Sequence, residues 1–309
     1  MNLIEAKHIS KQFVVQRDWL GRPKKTLTAV DDLSLTIGQG ETVGLVGESG
    51  CGKSTFARTL LGLYAKTGGS IAYKGRDIAD RAVGRDYRRH VQMIFQDPYA
   101  SLDPRMTVED IISEPLRNYH LCQDDSQRRQ RVASLLEQVD MRPEAAQRYP
   151  HEFSGGQRQR IGIARALIVE PEFIIADEPI SALDMSIRAQ VLNLLRHMQK
   201  ERGITYLFIA HDLSVMRYIS DRIAVIHKGD IVELADAEEL VTHAIHPYTR
   251  SLLSAIPMPS PRRERQKKLL VYDPSMHDYS TEAPQWRELR PRHWVLCSAS
   301  EAEDWCRES

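Results

Sequence analysis

One short segment constrains the fold of this chain more than any other. Residues 47–54 have the pattern G-x-x-x-x-G-K-S, from Gly47 to Ser54. An apolar stretch at 42–46 precedes the segment, and residues 55–63 follow it with the apolar spacing of a helix. Strand, glycine-rich loop and helix in this order form a phosphate-binding loop, where backbone N–H groups and the helix N-terminus surround a phosphate. The segment therefore predicts an α/β fold that binds a nucleoside triphosphate.

The residue types of this phosphate loop suggest their roles. Lys53 can reach the β- and γ-phosphates, and the Ser54 hydroxyl can bind Mg²⁺. The candidate nucleotide contacts of the loop are Gly47, Glu48, Ser49, Gly50, Cys51, Gly52, Lys53, Ser54 and Thr55. Cys51 is interpreted as a small residue that the loop tolerates, with alkylation of its thiol blocking nucleotide entry as a secondary hypothesis.

Two adjacent acids follow the apolar run at 173–176, which predicts a strand buried on both faces of a parallel sheet. Asp177 suits the role of a Mg²⁺ ligand, and Glu178 suits that of the base that polarises the attacking water. Two adjacent carboxylates in this context are not expected to be a solvated surface pair.

Two further polar residues follow apolar strands. His211 comes after the run at 205–210 and could hydrogen-bond a γ-phosphate, because ligands of open α/β sheets bind at the carboxyl ends of strands. Gln96 follows residues 93–95 and could contact the metal or the water. Taken alone, either residue could equally be structural.

Ser154, Gly155, Gly156 and Gln157 begin a predicted helix at 154–167. A serine hydroxyl and free N–H groups at a helix start suit an anion. These four residues lie far from the phosphate loop in sequence, beyond two helical stretches at 108–119 and 127–141 with no strand between them. They would therefore suit a phosphate held by another subunit, although Ser-Gly-Gly is also common in ordinary loops.

The rest of the chain predicts a parallel sheet flanked by helices, because strand and helix patterns alternate. Residues 1–35 predict a β-rich edge, and residues 223–226 and 231–234 a hairpin. From about His246 the chain becomes rich in proline, which predicts a linker to a C-terminal extension. We place the domains at 1–245 and 246–309, with a helical subdomain at about 100–165.

Composition excludes several classes of protein. The chain has 42 basic and 42 acidic residues, so nucleic acid is not an expected partner, and the basic run at 262–268 is interpreted as a solvated linker. We expect neither a signal peptide nor a membrane-spanning segment. The cysteines, Cys51, Cys122, Cys297 and Cys306, are widely spaced, which favours reduced thiols.

Together these segments resemble the ATP-binding-cassette (ABC) ATPases over about residues 1–240. The resemblance depends on the order and spacing of six segments: the phosphate loop, Gln96, 154–157, Asp177-Glu178, 181–184 and His211. It implies the P-loop NTPase cassette: an α/β fold with a parallel sheet core, an antiparallel β edge and an inserted helical subdomain, here followed by a C-terminal extension.

The resemblance also implies a face-to-face dimer of ATPases. ATP held by Lys53 of one subunit is capped by Ser154 of its partner, and Asp184 lies in the loop between the two sites. Phe13 occupies the place where an aromatic ring commonly stacks on adenine, with Trp19 as the alternative. Glu178, His211 and Gln96 are the expected catalytic residues, and Ser54, Gln96 and Asp177 the expected metal ligands.

Narrower segments resemble the oligopeptide/dipeptide importer ATPases. These are residues 96–105, the His246-Pro247-Tyr248-Thr249 motif, and 270–296, which is similar to the tail of the second ATPase subunit in Gram-positive importers. Many relatives bind an iron–sulfur cluster in this tail. Only Cys297 and Cys306 are found there in this chain, too few for four thiolate ligands, so no cluster is expected.

The resemblance implies an ATP- and Mg²⁺-dependent ATPase that energises import of oligopeptides or dipeptides by dimer closure. Its expected partners are a sister ATPase, two transmembrane permease subunits and an extracytoplasmic solute-binding protein. Its expected location is the cytoplasmic face of the membrane. Two alternatives remain: a soluble ABC ATPase of a non-transport assembly, such as a phosphonate-degrading complex, and an importer of another small solute such as nickel.

Overall fold

The computed structural model describes residues 1–256 and 267–308, without the side chain at 308. It divides into two compact units. The first unit comprises Met1–Glu5, Thr36–Glu41 and Ile71–Ile209, and the second comprises Ala6–Leu35, Thr42–Ser70 and Ala210–Ser309.

Strands and helices alternate through most of the described chain. The strands are β1 (Asn2–Arg17), β2 (Pro23–Gly38), β3 (Thr42–Val46), β4 (Gly68–Tyr73), β5 (Arg76–Asp77), β6 (Val91–Ile94), β7 (Phe173–Asp177), β8 (Thr205–Ala210), β9 (Arg222–His227), β10 (Asp230–Asp236), β11 (Gln285–Arg290) and β12 (His293–Cys297). The helices are α1 (Lys53–Leu60), α2 (Arg81–His90), α3 (Val108–Asn118), α4 (Asp125–Gln138), α5 (Gly155–Leu167), α6 (Met185–Arg202), α7 (Leu213–Ile219), α8 (Ala237–Thr242), α9 (Pro247–Ala255) and α10 (Ala299–Glu308).

The first unit is built on the parallel strands β6, β7 and β8. Strand β7 lies between the other two, with Phe173 opposite both Val91 and Thr205. Every residue of β7 is buried, as the continuous apolar run predicted. Burial of a large aliphatic side chain such as Ile174 contributes about 1.5–3 kcal/mol, so this strand forms a rigid base for the acids at its carboxyl end.

The helical stretches predicted at 108–119, 127–141 and 154–167 form α3, α4 and α5, with no strand from 108 to 167. A polar side chain begins each helix by accepting a backbone hydrogen bond: Thr107 from Asp110, Asp124 from Gln127 and Ser154 from Gln157. The Asp124 cap explains why α4 begins earlier than the predicted 127.

In the second unit, residues 6–17 of β1 and 23–35 of β2 form a long hairpin. The Asp18 carboxylate closes its turn by accepting hydrogen bonds from the backbone N–H groups of Leu20 (2.9 Å) and Arg22 (2.8 Å). Strand β1 is also a neighbour of β4 in the sheet. Next to the start of β4, the Ser10 carbonyl accepts a hydrogen bond from the Thr67 N–H at 2.8 Å. The predicted β-rich edge at 1–35 is confirmed.

Five strands of the second unit lie in the order β11–β12–β10–β9–β3. Strand β9 is parallel to β3 and antiparallel to β10, so the predicted hairpin is confirmed. Strand β12 then pairs with β10, with Val295 opposite Glu233. Inside this pairing His293 and Glu233 are both fully buried, with Nε2 and Oε1 2.7 Å apart. The C-terminal segment thus continues the sheet of this unit.

The start of the predicted linker differs from the expectation, because Pro247–Ala255 forms helix α9. His246 caps this helix and Pro247 occupies its first position, where a missing N–H costs nothing. Pro257, Pro259, Pro261 and most of the basic run lie outside the described residues. Over the two described ranges, no helix combines the length and apolarity that crossing a bilayer requires.

Candidate functional site

The phosphate loop joins β3 to α1, as predicted, and its glycines are required by close backbone approaches. A Cβ on Gly47 would lie 2.2 Å from the Ile226 carbonyl oxygen. A Cβ on Gly52, whose φ is +112°, would lie 2.3 Å from the Ala29 carbonyl oxygen. The neighbouring backbone therefore determines the course of the loop and leaves Glu48, Ser49 and Gly50 exposed.

Lys53 lies inside the curve of the loop and is only 5% exposed. Its Nζ donates to the carbonyl oxygens of Gly47 and Glu48, each at 2.7 Å. These neutral acceptors hold the ammonium group at the loop, where an incoming phosphate can replace them as a stronger, charged partner. Ser54 and Thr55 follow in the first turn of α1 and are half-buried.

Cys51 is the buried cysteine of the loop, with its sulfur 3.7 Å from Lys53 Nζ. Burial raises the pKa of the Cys51 thiol, and the nearby ammonium group opposes that shift only in part. The thiol is therefore protonated at neutral pH and is a poor nucleophile, since thiolates are the reactive form. This agrees with the interpretation of Cys51 as a small tolerated residue.

The structure brings Gln96 and Glu178 together in the first unit, 82 positions apart in sequence. Gln96 Nε2 donates to Glu178 Oε2 at 2.9 Å. Asp177, which ends β7, is 1% exposed, whereas Gln96 is exposed and Glu178 is half-buried. One carboxylate is thus buried at the strand end, while the next is accessible and oriented by an amide.

Glu178 also has an unusual backbone conformation, with φ of +45°. A left-handed conformation costs a residue with a side chain about 1–2 kcal/mol. Hydrogen bonds on both sides maintain it: the Glu178 N–H donates to the Ile209 carbonyl at 3.0 Å, and the Ser181 hydroxyl donates to the Glu178 carbonyl at 3.0 Å. Strain that the surroundings maintain in this way is typical of functional positions.

Ser154 begins α5 and is exposed. Its Oγ accepts from the Gln157 N–H at 3.4 Å, while the Gln157 side chain accepts from the Ser154 N–H at 3.0 Å. This capping box uses the hydroxyl as an acceptor and leaves its proton for an external anion. The carboxamide of Gln157, predicted as a nucleotide contact, here completes the cap.

The two glycines after Ser154 differ in their surroundings. A Cβ on Gly156 would lie 2.6 Å from Ile187 Cγ2, so the packing of α6 against α5 requires a glycine there. A Cβ on Gly155 would meet only Tyr99, at 3.9 Å or more, so packing does not require a glycine at 155.

Asp184 lies at the end of the loop that leads into α6 and caps that helix. Its Oδ1 accepts from the Ser186 hydroxyl at 2.7 Å and from the Ile187 N–H at 3.0 Å. The Ser186 hydrogen bond lowers the pKa of Asp184, so the carboxylate is charged at neutral pH. His211 directly follows β8 and is exposed.

The two candidates for adenine stacking have different environments. Phe13 is half-buried and meets Tyr64 edge to face at 5.4 Å, with Lys11 Nζ 4.8 Å from its ring centre. Trp19 lies at the hairpin turn and is 91% exposed. Phe13 is therefore held in place by its neighbours, which a stacking platform requires, while Trp19 has no such support.

The lining of a cleft in the first unit includes none of these residues. Its volume is about 430 Å³, and Pro171, Glu172, Gly203 and Ile204 are among its lining residues. These residues precede β7 and β8, whereas ligands of parallel sheets bind at the carboxyl ends of strands. We therefore assign it no role in the chemistry.

One contact of the phosphate loop comes from a residue 200 positions away in sequence. The Tyr248 hydroxyl accepts a hydrogen bond from the Glu48 N–H at 3.0 Å. Tyr248 belongs to the His246-Pro247-Tyr248-Thr249 motif, which predicts a branch of a family and no contact with the loop. The motif was a usable signal, but nothing in the sequence placed it against the loop.

The C-terminal cysteines are free thiols, Cys297 buried and Cys306 exposed. Burial raises the pKa of Cys297 to about 11, so it is protonated at neutral pH. In the part of the chain that the structure describes, no three His, Cys, Asp or Glu side chains are grouped as metal ligands. That the tail holds no iron–sulfur cluster stays a prediction.

Two family profiles match the sequence. Residues 30–181 match the ABC transporter family, and residues 232–281 match the C-terminal region of oligopeptide/dipeptide transporters.

Curated relatives match over nearly the whole chain. The oligopeptide transport ATP-binding protein OppF of Bacillus subtilis is 56% identical over 303 residues, which cover 97% of each chain. The dipeptide transport ATP-binding protein DppF of Lactococcus lactis is 52% identical, covering 89% of each chain. OppF of Salmonella typhimurium is 51% identical, covering 88% of this chain and 82% of its own.

Solved structures are similar in fold. The ATP-binding cassette MJ0796, in a dimeric post-hydrolysis state bound to ADP and Pi, is 28% identical with a TM-score of 0.67. The alignment covers 76% of this chain and 98% of that one. The cbiO1 protein of Clostridium perfringens, 23% identical with a TM-score of 0.66, covers 86% of this chain and 98% of its own, and supports the fold alone.

Proposed function

The chain belongs to the ATP-binding proteins of the oligopeptide/dipeptide ABC transporters and is the ATPase of a peptide importer, and we propose the residue roles and partners described below. The near full-length identity to the Bacillus subtilis relative carries the assignment. The expected cassette fold and the expected family are both confirmed. Neither alternative, a soluble non-transport assembly or a nickel importer, is favoured by any observation.

The phosphate loop is proposed to bind the triphosphate of ATP through its backbone N–H groups and Lys53. Residues 47–55 supply these groups, and Phe13 stacks on the adenine. Exchange of the Lys53 contacts from carbonyl oxygens to phosphate oxygens would replace a neutral partner with a charged one. His211 is proposed to hydrogen-bond the γ-phosphate and respond to its loss.

Glu178 is proposed as the general base that accepts a proton from the attacking water. Its carboxylate is accessible at the end of β7, and Gln96 holds one of its oxygens at 2.9 Å. A base must be oriented before it can help, because proton transfer requires hydrogen-bond reach to the water. Gln96 therefore orients the base, and it also suits contact with the water or the metal.

Mg²⁺ is proposed to be held by Ser54, Gln96 and Asp177. Their hydroxyl, amide and carboxylate oxygens are the hard donors that Mg²⁺ prefers, and Asp177 is buried at a strand end, so the residue types fit. The bound ion would neutralise charge on the phosphates.

Ser154 is proposed to act on ATP held by a second ATPase subunit, together with Gly155, Gly156, Gln157 and Asp184. The support is the exposed hydroxyl at the start of α5, whose proton is not used by the cap. A helix N-terminus with such a donor favours an anion. We propose that the second subunit is a sister ATPase of a different sequence.

The proposed role of Ser154 predicts that its loss affects ATP turnover but not ATP binding. Ser154→Ala should lower ATP turnover of the assembled transporter about 10²-fold, because a donor to the reacting phosphate is lost. It should leave ATP binding by the isolated chain unchanged and cost about 1 kcal/mol of stability through the lost cap. Turnover assays, ATP titration and urea unfolding measure these effects.

Thr107→Ala is the matched control, because it removes a cap hydroxyl from α3 that accepts from the Asp110 N–H at 3.2 Å. It should cost a similar amount of stability while turnover is retained. Equal loss of turnover in both variants would show that Ser154 acts only as a cap.

The further partners are proposed to be two permease subunits and an extracytoplasmic solute-binding protein, with the ATPase at the cytoplasmic face of the membrane. No nucleic acid is expected. The cassette is proposed to occupy residues 1–245, with a helical subdomain at about 100–165, and the importer-type extension residues 246–309.

Uptake of a labelled tripeptide by whole cells tests the function. Deleting the gene should abolish uptake, and the wild-type gene should restore it. Pulling on a tagged copy from detergent-solubilised membranes should recover two multi-spanning proteins and a sister ATPase. Unchanged uptake, together with recovery of only soluble enzymes, would contradict the import function.

A further inference from the structure

Tyr248 joins the C-terminal part of the chain to the phosphate loop. It lies in α9, is 1% exposed, and its hydroxyl oxygen accepts from the Glu48 N–H at 3.0 Å. Burial raises the pKa of the Tyr248 hydroxyl well above its usual value, so the group is neutral throughout the physiological range. The oxygen therefore accepts the Glu48 N–H as part of a neutral hydroxyl.

The hydrogen bond from Glu48 to Tyr248 involves the Gly47–Glu48 peptide group, which also contacts Lys53. The N–H of Glu48 and the carbonyl of Gly47 belong to one peptide unit, and Lys53 Nζ donates to that carbonyl at 2.7 Å. In a planar trans peptide the N–H and C=O point in opposite directions. Tyr248 and Lys53 thus hold opposite edges of the same peptide.

The Tyr248 ring is held by other rings of the second unit. Its centre lies 4.3 Å from that of His227 and 5.3 Å from that of Tyr272. Tyr272 in turn packs against His277 at 5.6 Å, and His277 against Trp305 at 6.3 Å. A continuous set of rings therefore leads from α10 to the hydroxyl that contacts the loop.

Two histidines near Tyr248, His227 and His246, are suited to packing as neutral rings. Burial lowers the pKa of His246 to about 3 and lowers that of His227 as well. His246 has a defined role, because its Nδ1 accepts the Tyr248 N–H at 3.1 Å and so starts α9. His227 thus packs against the Tyr248 ring and His246 holds its backbone, and neither adds charge next to the loop.

We propose that Tyr248 is a positioning residue for the phosphate loop, through which the C-terminal segment orients the Gly47–Glu48 peptide for nucleotide binding. The inference rests on the proposed role of residues 47–55 in binding ATP. It assigns a role to the extension: its rings fix a hydroxyl that keeps the loop in its binding geometry. Tyr248 acts through the backbone and is not itself a catalytic residue.

The test compares two tyrosine hydroxyls of the same ring set. Tyr248→Phe keeps the ring but removes the acceptor of the Glu48 N–H. The Kd and the KM for ATP should therefore both rise about 5- to 10-fold, as expected for one lost hydrogen bond. kcat at saturating ATP should stay within about twofold. Tyr272→Phe, which removes a hydroxyl from a neighbouring ring that packs against the Tyr248 ring at 5.3 Å, should leave both constants within about twofold.

Hydrogen exchange of the nucleotide-free full-length chain supplies a readout that does not depend on ATP. The loop peptide containing Glu48 should exchange about tenfold faster in Tyr248→Phe than in the wild type and Tyr272→Phe. If the wild-type chain binds no ATP, the proposed function fails and the exchange result still decides the role of Tyr248. Equal affinities and equal exchange in the wild type and Tyr248→Phe would overturn the inference, as would equal losses in both variants.

Discussion

Glu178→Gln is expected to lower the steady-state ATPase rate of the assembled transporter by about 10²- to 10⁴-fold, the contribution typical of a general base. ATP binding should be retained, because glutamine has the same shape and its amide oxygen can still accept from Gln96 Nε2, now 2.9 Å from Glu178 Oε2. If ATP closes a dimer of ATPase subunits and hydrolysis reopens it, as the family resemblance implies, the variant should accumulate as a stable ATP-bound dimer. Phosphate release, ATP titration and gel filtration with ATP measure the three effects.

Glu170→Gln provides the matched control. Glu170 belongs to the same unit and also has a left-handed backbone, with φ of +55°. Its carboxylate lies at the surface, paired with Arg131 at 3.1 Å. A surface ion pair contributes little, so turnover should stay near that of the wild type. Retained turnover in Glu178→Gln would exclude Glu178 as the base, and equal loss in both variants would point to a general effect of the substitution.

Gly52→Ala is expected to destabilise the chain by about 3 kcal/mol or more and to abolish ATP binding. Its Cβ would lie 2.3 Å from the Ala29 carbonyl oxygen, and its φ of +112° is one that residues with a side chain rarely adopt. Because the obstacle is backbone, no change of side-chain rotamer relieves it, and the loop or the Ala29 strand must move. Urea unfolding without nucleotide measures the stability, and ATP titration measures the binding.

Gly50→Ala separates the clash from the backbone strain. Gly50 also has a positive φ, +81°, but nothing lies within 4 Å of its Cβ position. This variant should cost only about 1–2 kcal/mol, the penalty of the left-handed conformation. If both alanine variants lost the same stability, the close approach to Ala29 would not be what requires glycine at position 52.

Local patterns in the sequence were sufficient to predict the strands and helices that carry the candidate site residues. Residues 42–46 and 205–210 form strands with the predicted bounds, and 154–167 forms a helix that Ser154 caps. Such patterns succeed because burial on both faces and a cap hydroxyl are properties of neighbouring residues. Where a boundary moved, as at the start of α4, a cap decided it: Asp124 accepts from the Gln127 N–H.

The tail shows the limits of these patterns. Proline content at 246–261 predicted a linker, but Pro247 begins a helix, since its fixed φ suits the first helical position. Strands β11 and β12 were not predicted, because their burial depends on pairing with β10.

The sequence by itself determined the phosphate loop, the acids at the end of β7, the Ser154 cap and the family, since each depends on contiguous residues. Only the tertiary structure showed that Gln96 contacts Glu178, across 82 positions, and that Tyr248 contacts Glu48, across 200. It also showed that the Ala29 carbonyl requires a glycine at position 52. These contacts join residues distant in sequence, so they depend on how strands and helices pack, and no local periodicity encodes that packing.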